Sequence, residues 1–125
     1  MTIRIVALLK RRPDITHEQF IERWGQNHAK IFTSLEVTKR NIIRYSQLHV
    51  NLQHSKTLNQ AGLQVASFDG MVEMEVENLD DFLAIFTDEE FLKIGSPDED
   101  NFLDKTSVQV IVGEAFVKFD RARDV

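Results

Sequence analysis

Residues 2–35, TIRIVALLKRRPDITHEQFIERWGQNHAKIFTSL, decide the fold, because the hydrophobic period changes once within them and changes sharply. From Thr2 to Lys10 the chain is apolar on both alternating faces, with Ile3, Ile5, Ala7 and Leu9 opposite Val6 and Leu8, which reads as a strand covered on both sides. The turn Arg11-Arg12-Pro13-Asp14 separates it from a helix opened by Thr16, whose hydroxyl can accept an orphan amide bond of the first turn. Beyond it Phe20, Ile21, Trp24, His28, Ile31, Phe32 and Leu35 recur at helical spacing, so the helix is expected to run to about Ser34 with one buried stripe. His28 lies within that stripe.

Working outward, a second strand is expected around Asn41 to Val50, with Tyr45, Gln47 and His49 on one face and Arg44, Ser46 and Leu48 on the other. Residues 51–66 are polar without a strong period and read as a long loop or lid with at most a helical turn. The third strand, near Ser67 to Val76, sets Val72, Met74 and Val76 against Met71, Glu73 and Glu75, and its Asp69-Gly70 reads as a bulge or close approach. A broken second helical region opens near Asn78 and buries Leu79, Phe82, Leu83, Ile85 and Phe86. Thr87 with Glu90, and Ser96-Pro97 with Glu99, read as further capping-box starts. Ser107 to Gly113 is a fourth strand, and 114–125 an extended arm. The order βαββαβ is the split βαβ, ferredoxin-like motif: an α+β fold with a four-stranded antiparallel sheet and both helices on one face. The other face is left bare, and a symmetric second copy is the expected cover, which makes a homodimer.

The 125 residues fit a single domain, 1–125, without linker or repeat. A net charge of -5 with scattered Lys and Arg argues against nucleic acid. The absence of Cys removes disulfides and thiolate chemistry and fits a reducing, cytoplasmic setting. No run approaches the roughly 20 apolar residues of a membrane span, so no membrane partner is expected.

The organisation resembles the EthD family of dimeric α+β barrels, and particular residues carry the resemblance. They are Val6-Ala7-Leu8-Leu9-Lys10-Arg11-Arg12-Pro13, followed by Phe20, Trp24 and His28-Ala29; Arg44-Tyr45 with His49; Phe68-Asp69-Gly70 with Val72-Glu73; and Asp98-Glu99 with Asn101-Phe102-Leu103-Asp104. The chain looks most like the fungal EthD-type decarboxylases, which the long 51–64 segment favours over the shorter bacterial type. That resemblance implies a lyase of secondary metabolism that decarboxylates an aromatic polyketide acid of the atrochrysone carboxylic acid type, without metal or organic cofactor. Related barrels that cyclise, dehydrate or oxygenate similar rings keep those reactions open, as does non-catalytic binding of a hydrophobic small molecule.

Among candidate residues His28 comes first, since an imidazole one turn from Trp24 on a buried face can carry a proton near neutrality. The competing reading is a core histidine satisfied by a backbone carbonyl. Tyr45, Gln47 and His49 would present a phenol, an amide and an imidazole in a row, although polar alternation also describes a wet strand face. In the expected decarboxylation Tyr45 and His49 bond the substrate's oxygens and His28 delivers the proton. Phe20, Trp24, Phe82 and Phe86 are expected as apolar walls, with His54 in the lid. His17, in the first turn, reads as solvated; Asp69, Glu73 and Asp98 are candidate pocket carboxylates, set against the commoner reading of isolated acids as solvated. No H-x-H, H-x₃-H or HExxH spacing occurs, so no metal site is expected.

Overall fold

The computed structural model describes residues 1–123; Asp124 and Val125, the end of the expected arm, lie outside the described residues. Strands β1 (Ile3–Leu9), β2 (Arg44–His49), β3 (Gly70–Val76) and β4 (Gln109–Gly113) form one antiparallel sheet in the order β2-β3-β1-β4. This is the ferredoxin-like arrangement expected from the element order. The register sets Tyr45, Met74, Ile5 and Val112 in one row across the sheet, and Gln47, Val72, Ala7 and Val110 in the next. A third row holds His49, Gly70 and Leu9. These rows make the face turned to the helices.

Between β1 and β2 the chain runs from α1 (His17–Glu22) through a π-helical segment (Arg23–His28) into α2 (Ala29–Ser34). Thr16 caps α1 reciprocally: its hydroxyl accepts from Gln19 N–H at 3.1 Å, and Gln19 Oε1 accepts from Thr16 N–H at 2.9 Å. Extended Leu35 ends the rod, and α3 (Glu36–Asn41) follows, burying Val37 and Thr38 with Lys39 and Arg40 in its last turn. So short a helix shows no period, and α3 leaves no mark in the sequence.

The 51–66 segment is not a loop: α4 (Leu52–Gln60) occupies most of it. Asn51 caps it by accepting from His54 N–H at 2.8 Å, and Gly62 follows at φ +98°, a backbone that favours glycine. No α4 residue is buried, so the helix leaves no apolar stripe in the sequence. After β3 come α5 (Leu79–Leu83), capped by Asn78, a 3₁₀ turn (Ala84–Thr87), a second π-helical segment (Phe91–Gly95) and α6 (Ser96–Glu99). Neither expected box at Thr87 or Ser96 forms. Asp88 instead accepts from Phe91 N–H at 2.9 Å, Glu90 accepts from Glu36 N–H at 3.0 Å, and Ser96 already lies inside α6. A 3₁₀ turn (Lys105–Ser107) leads into β4, and residues 114–120 extend beyond it.

The core is divided. One buried cluster holds Leu9, Ile15, Phe20, Trp24, Val72 and Phe102; the other holds Phe32, Leu35, Val37, Ile85 and Phe91. Tyr45 and Met74 pack against both. Trp24 reaches the sheet over Gly70, where an added Cβ would fall 2.4 Å from Trp24 Cζ3, so the Asp69-Gly70 pair marks a close approach. On the opposite sheet face Arg4 pairs with Glu73 at 3.0 Å and Thr2 Oγ1 donates to Glu75 at 2.6 Å, beside exposed Leu48 and Ile111.

Candidate functional site

The gap between the two core clusters is a cavity of about 240 Å³. Its floor is Ile5, Ala7, Leu9, Val72, Met74 and Val110 of the sheet, and Trp24, Phe32, Phe82, Phe86, Phe91 and Phe102 enclose it from the helices. Val110 and Phe86, 57% and 50% exposed, mark where it opens. The polar residues in its lining are His28, Tyr45, Glu99 and Lys105. An apolar hollow with a few convergent polar groups is the usual form of a small-molecule site.

His28 sits on the π-helical segment, 5% exposed, with the Phe102 ring 5.2 Å and the Phe32 ring 6.1 Å away. Its Nδ1 is 2.9 Å from Asp98 Oδ2, and Asn101 Nδ2 donates to the other oxygen of that carboxylate at 3.3 Å. The carboxylate accepts from Nδ1–H and leaves Nε2 with its lone pair, 3.9 Å from Glu99 Oε2. Burial lowers the His28 pKa, against the pull of Asp98, so the ring is neutral and able to act as a base. Burial pushes Glu99 up to about 7, although Lys105 Nζ stands 3.7 Å from its other oxygen. Near neutrality Glu99 therefore has a proton to give. Burial also raises Tyr45, against hydrogen bonds from Gln47 and Trp24, and keeps its phenol protonated.

Residues 98–105, which carry Asp98, Glu99 and Lys105, are tied to the end of β1 and to the helix. Arg12 N–H donates to Phe102 O at 2.8 Å, Asp104 N–H to Lys10 O at 3.0 Å, and Arg23 Nη1 to Asn101 O at 2.9 Å. Lys105 is held in turn by Asp100 at 3.0 Å and by the Ser96 carbonyl at 3.1 Å.

The structure brings together His28, Tyr45, Trp24, Phe82 and Phe86 and leaves the other candidates apart. Gln47 and His49 follow Tyr45 on the same strand face, but they lie beside the π-helical segment, outside the cavity. The His49 ring lies tilted against Trp24, 5.2 Å between centroids, and opens to a surface hollow with His17, Glu22 and Asn51. Phe20, fully buried between Trp24 and Phe102, is core rather than wall. His54 is exposed on α4 and lies outside the cavity, because α4 turns Leu52, Ser55 and Asn59 rather than His54 toward the body of the fold. His17 is not solvated either: Nδ1 lies 2.7 Å from Asp69 Oδ1 and Nε2 2.9 Å from Val50 O, joining α1 to the ends of β2 and β3. Asp98 is the partner of His28 rather than a solvated acid, and Glu99 and Lys105 were singled out by no sequence signal beyond the Asp98-Glu99 pair. Among the described residues no cluster of three or more His, Cys, Asp or Glu is placed to hold a metal ion, and no helix is long and apolar enough to cross a membrane.

Residues 12–106, which span the helical layer and strands β2 and β3, match the model of the EthD domain. The chain belongs to the EthD domain family. A curated EthD relative, the conidial pigment biosynthesis dehydratase EthD of Metarhizium robertsii, is 24% identical over 107 residues, covering 82% of this chain and 75% of the relative. Two solved structures share the fold at lower identity. A dimeric ferredoxin-like protein of unknown function from Bacteroides fragilis is 16% identical, with TM-score 0.62, over 91% of this chain and 96% of that one. A cofactor-independent oxygenase from Streptomyces nogalater is 10% identical, with TM-score 0.56, over 91% and 92%. In this EthD domain the match spans both halves of the site, from Trp24 and His28 to Glu99 and Lys105.

Proposed function

We propose that this EthD domain is a lyase that removes water from a flat, hydroxylated aromatic polyketide by proton transfer between side chains. The observation that carries the reading is the pairing of a neutral imidazole with a protonated carboxyl at one end of an apolar cavity, 3.9 Å apart. Elimination of water needs both a base for the hydrogen beside a ring carbonyl and an acid for the departing hydroxyl. His28 Nε2 takes the carbon-bound proton, and the C–H electrons move toward the carbonyl, whose oxygen receives a hydrogen bond from Tyr45. As the double bond forms, the C–O bond breaks and the hydroxyl leaves with the Glu99 proton as water. The proton on His28 returns to Glu99, and the site is restored. The pigment dehydratase of Metarhizium robertsii supports the same reaction class.

Decarboxylation is the second reading, favoured by the apolar walls, which desolvate a carboxylate and ease its departure. In that case the electrons left by CO₂ move into the same carbonyl, and His28 or Glu99 protonates the carbon. Mass spectrometry of a purified β-hydroxy-ketone polyketide acid incubated with the protein separates the readings. Loss of water, absent in a folded His28→Ala variant, is the expected result. Loss of CO₂ favours decarboxylation, gain of oxygen an oxygenase, and tight binding without turnover a binding protein.

We further propose a homodimer. The whole of β4 is exposed, as are Phe116, Val117 and Phe119 after it, which is more contiguous apolar surface than a lone domain of this size carries comfortably. The dimeric Bacteroides fragilis protein of the same fold supports that assembly.

A further inference from the structure

Tyr45, Gln47 and His49 stand in a file on β2, and the direction of every hydrogen bond in the file is forced. The Trp24 carbonyl oxygen can only accept, so the Gln47 atom 3.2 Å from it is the amide nitrogen. The second hydrogen of that nitrogen goes to Tyr45 Oη at 2.8 Å. The amide oxygen then faces His49 Nε2 at 2.8 Å and can only accept, so that ring nitrogen carries the proton. Tyr45 Oη therefore receives a hydrogen from the file and keeps its own to donate elsewhere.

The helix is shaped to hold this file. In the π-helical segment the Trp24 carbonyl accepts from Ala29 N–H and has a second lone pair for Gln47. Next to it, a Cβ on Gly25 would lie 2.7 Å from His49 Cε1 and 3.5 Å from Gln47 Oε1, so the file closes against the helix only because that residue is glycine. Neither Gln47 nor His49 lines the cavity, yet both bear on the hydroxyl of Tyr45, a residue that does.

We infer that Gln47 is a positioning residue that locks Tyr45 as a hydrogen-bond donor into the cavity, so that the site selects flat ligands with an acceptor oxygen, a ring carbonyl or enolate, at that wall. The inference rests on the reading of the cavity as the ligand site and is independent of which bond is broken there. It assigns His49 an indirect part as well: by donating to Gln47 Oε1 it keeps the amide from flipping.

The test is binding of three bicyclic probes by titration calorimetry: 1-tetralone, which offers a carbonyl acceptor, 1-aminonaphthalene, which offers N–H donors, and naphthalene, which offers neither. The wild-type chain is expected to favour 1-tetralone over naphthalene by about tenfold, the worth of one hydrogen bond, and Tyr45→Phe to erase that preference. Gln47→Glu places a carboxylate, which only accepts, where the amide donated. It draws the phenol hydrogen onto itself and turns the Tyr45 lone pairs to the cavity, so the preference inverts toward 1-aminonaphthalene. A role for Gln47 in stability alone would weaken all three probes together. If Gln47→Glu does not fold, Gln47→Leu lowers the preference for 1-tetralone and leaves naphthalene binding unchanged. Probes that bind with the wild-type order in both Gln47 variants overturn the inference and turn the Tyr45 hydroxyl to the shallow hollow beside Gly25 and Ala29 that it also borders. Failure of every probe to bind the wild-type chain overturns the reading of the cavity, and the inference falls with it.

Discussion

Glu99 holds a proton up to about pH 7 because it is buried beside an imidazole that burial keeps neutral, and this opposition sets the working pH of the site. His28 must be unprotonated and Glu99 protonated, so activity should fall on the acid side as His28 titrates and on the alkaline side near pH 7. Glu99→Gln should slow turnover and erase the alkaline limb; a limb that persists in the variant would assign it to another group. The same shift appears in stability. The Glu99 value is raised from 4.5, so across the window from 4.5 to about 7 the folded chain keeps a proton that the unfolded chain has lost. The Glu99 contribution to stability therefore falls as pH rises through that window, by about 1–3 kcal/mol, against the opposite slope from His28, and denaturant titrations of Glu99→Gln should show that contribution removed. His28→Ala should cut turnover by about 10²–10⁴-fold if the ring transfers the proton, and the test requires a variant that still melts cooperatively. His28 and Tyr45 were legible in the sequence because each sits on a periodic element whose buried face can be counted. Asp98 was open to two readings and Glu99 and Lys105 were not distinguished at all, because α6 and the 3₁₀ turn that carry them are too short for a period to separate them from the other acids and lysines of the chain.

At the scale of elements, the close fit of Trp24 over Gly70 fixes how the helical layer sits on the sheet. Trp24 is 2% exposed and cannot swing aside, so Gly70→Ala should destabilise the chain by about 1–3 kcal/mol in denaturant unfolding. Gly25→Ala meets only the movable ring of exposed His49 and should cost less. The elements are unevenly legible in the sequence, and burial explains much of the difference. β1, β3 and the long helix ending at Ser34 announce themselves through buried periodic residues, and β2 and β4 through alternation and Val/Ile content, whereas α4 buries nothing and α3 is too short to repeat. The π-helical segment was invisible because Trp24 and His28 keep helical spacing through it. Its effect was nonetheless decisive, since it places the Trp24 carbonyl within reach of Gln47.

For the whole molecule, one side of the cavity is left open at β4, the strand whose residues are all exposed. A cavity of about 240 Å³ is smaller than the usual range for ligand sites, about 300–1,000 Å³, and its open edge lies where the proposed second copy would approach. Sedimentation should therefore find a dimer, and Ile111→Glu, which puts a charge on the outer face of β4, should shift it toward monomer while leaving the far-ultraviolet spectrum unchanged. A wild-type chain that sediments as a monomer would refute the assembly.

Sheet and helices supply the walls of the cavity, while the residues that tune its proton chemistry through His28 come from the stretch 98–105, stitched by backbone bonds to the end of β1. That division separates what evolution must preserve from what it is free to rewrite. A descendant chain could exchange Asp98, Glu99 or Lys105 and acquire a different reaction, while its strands, its register and its shelter for a flat ring passed on unaltered.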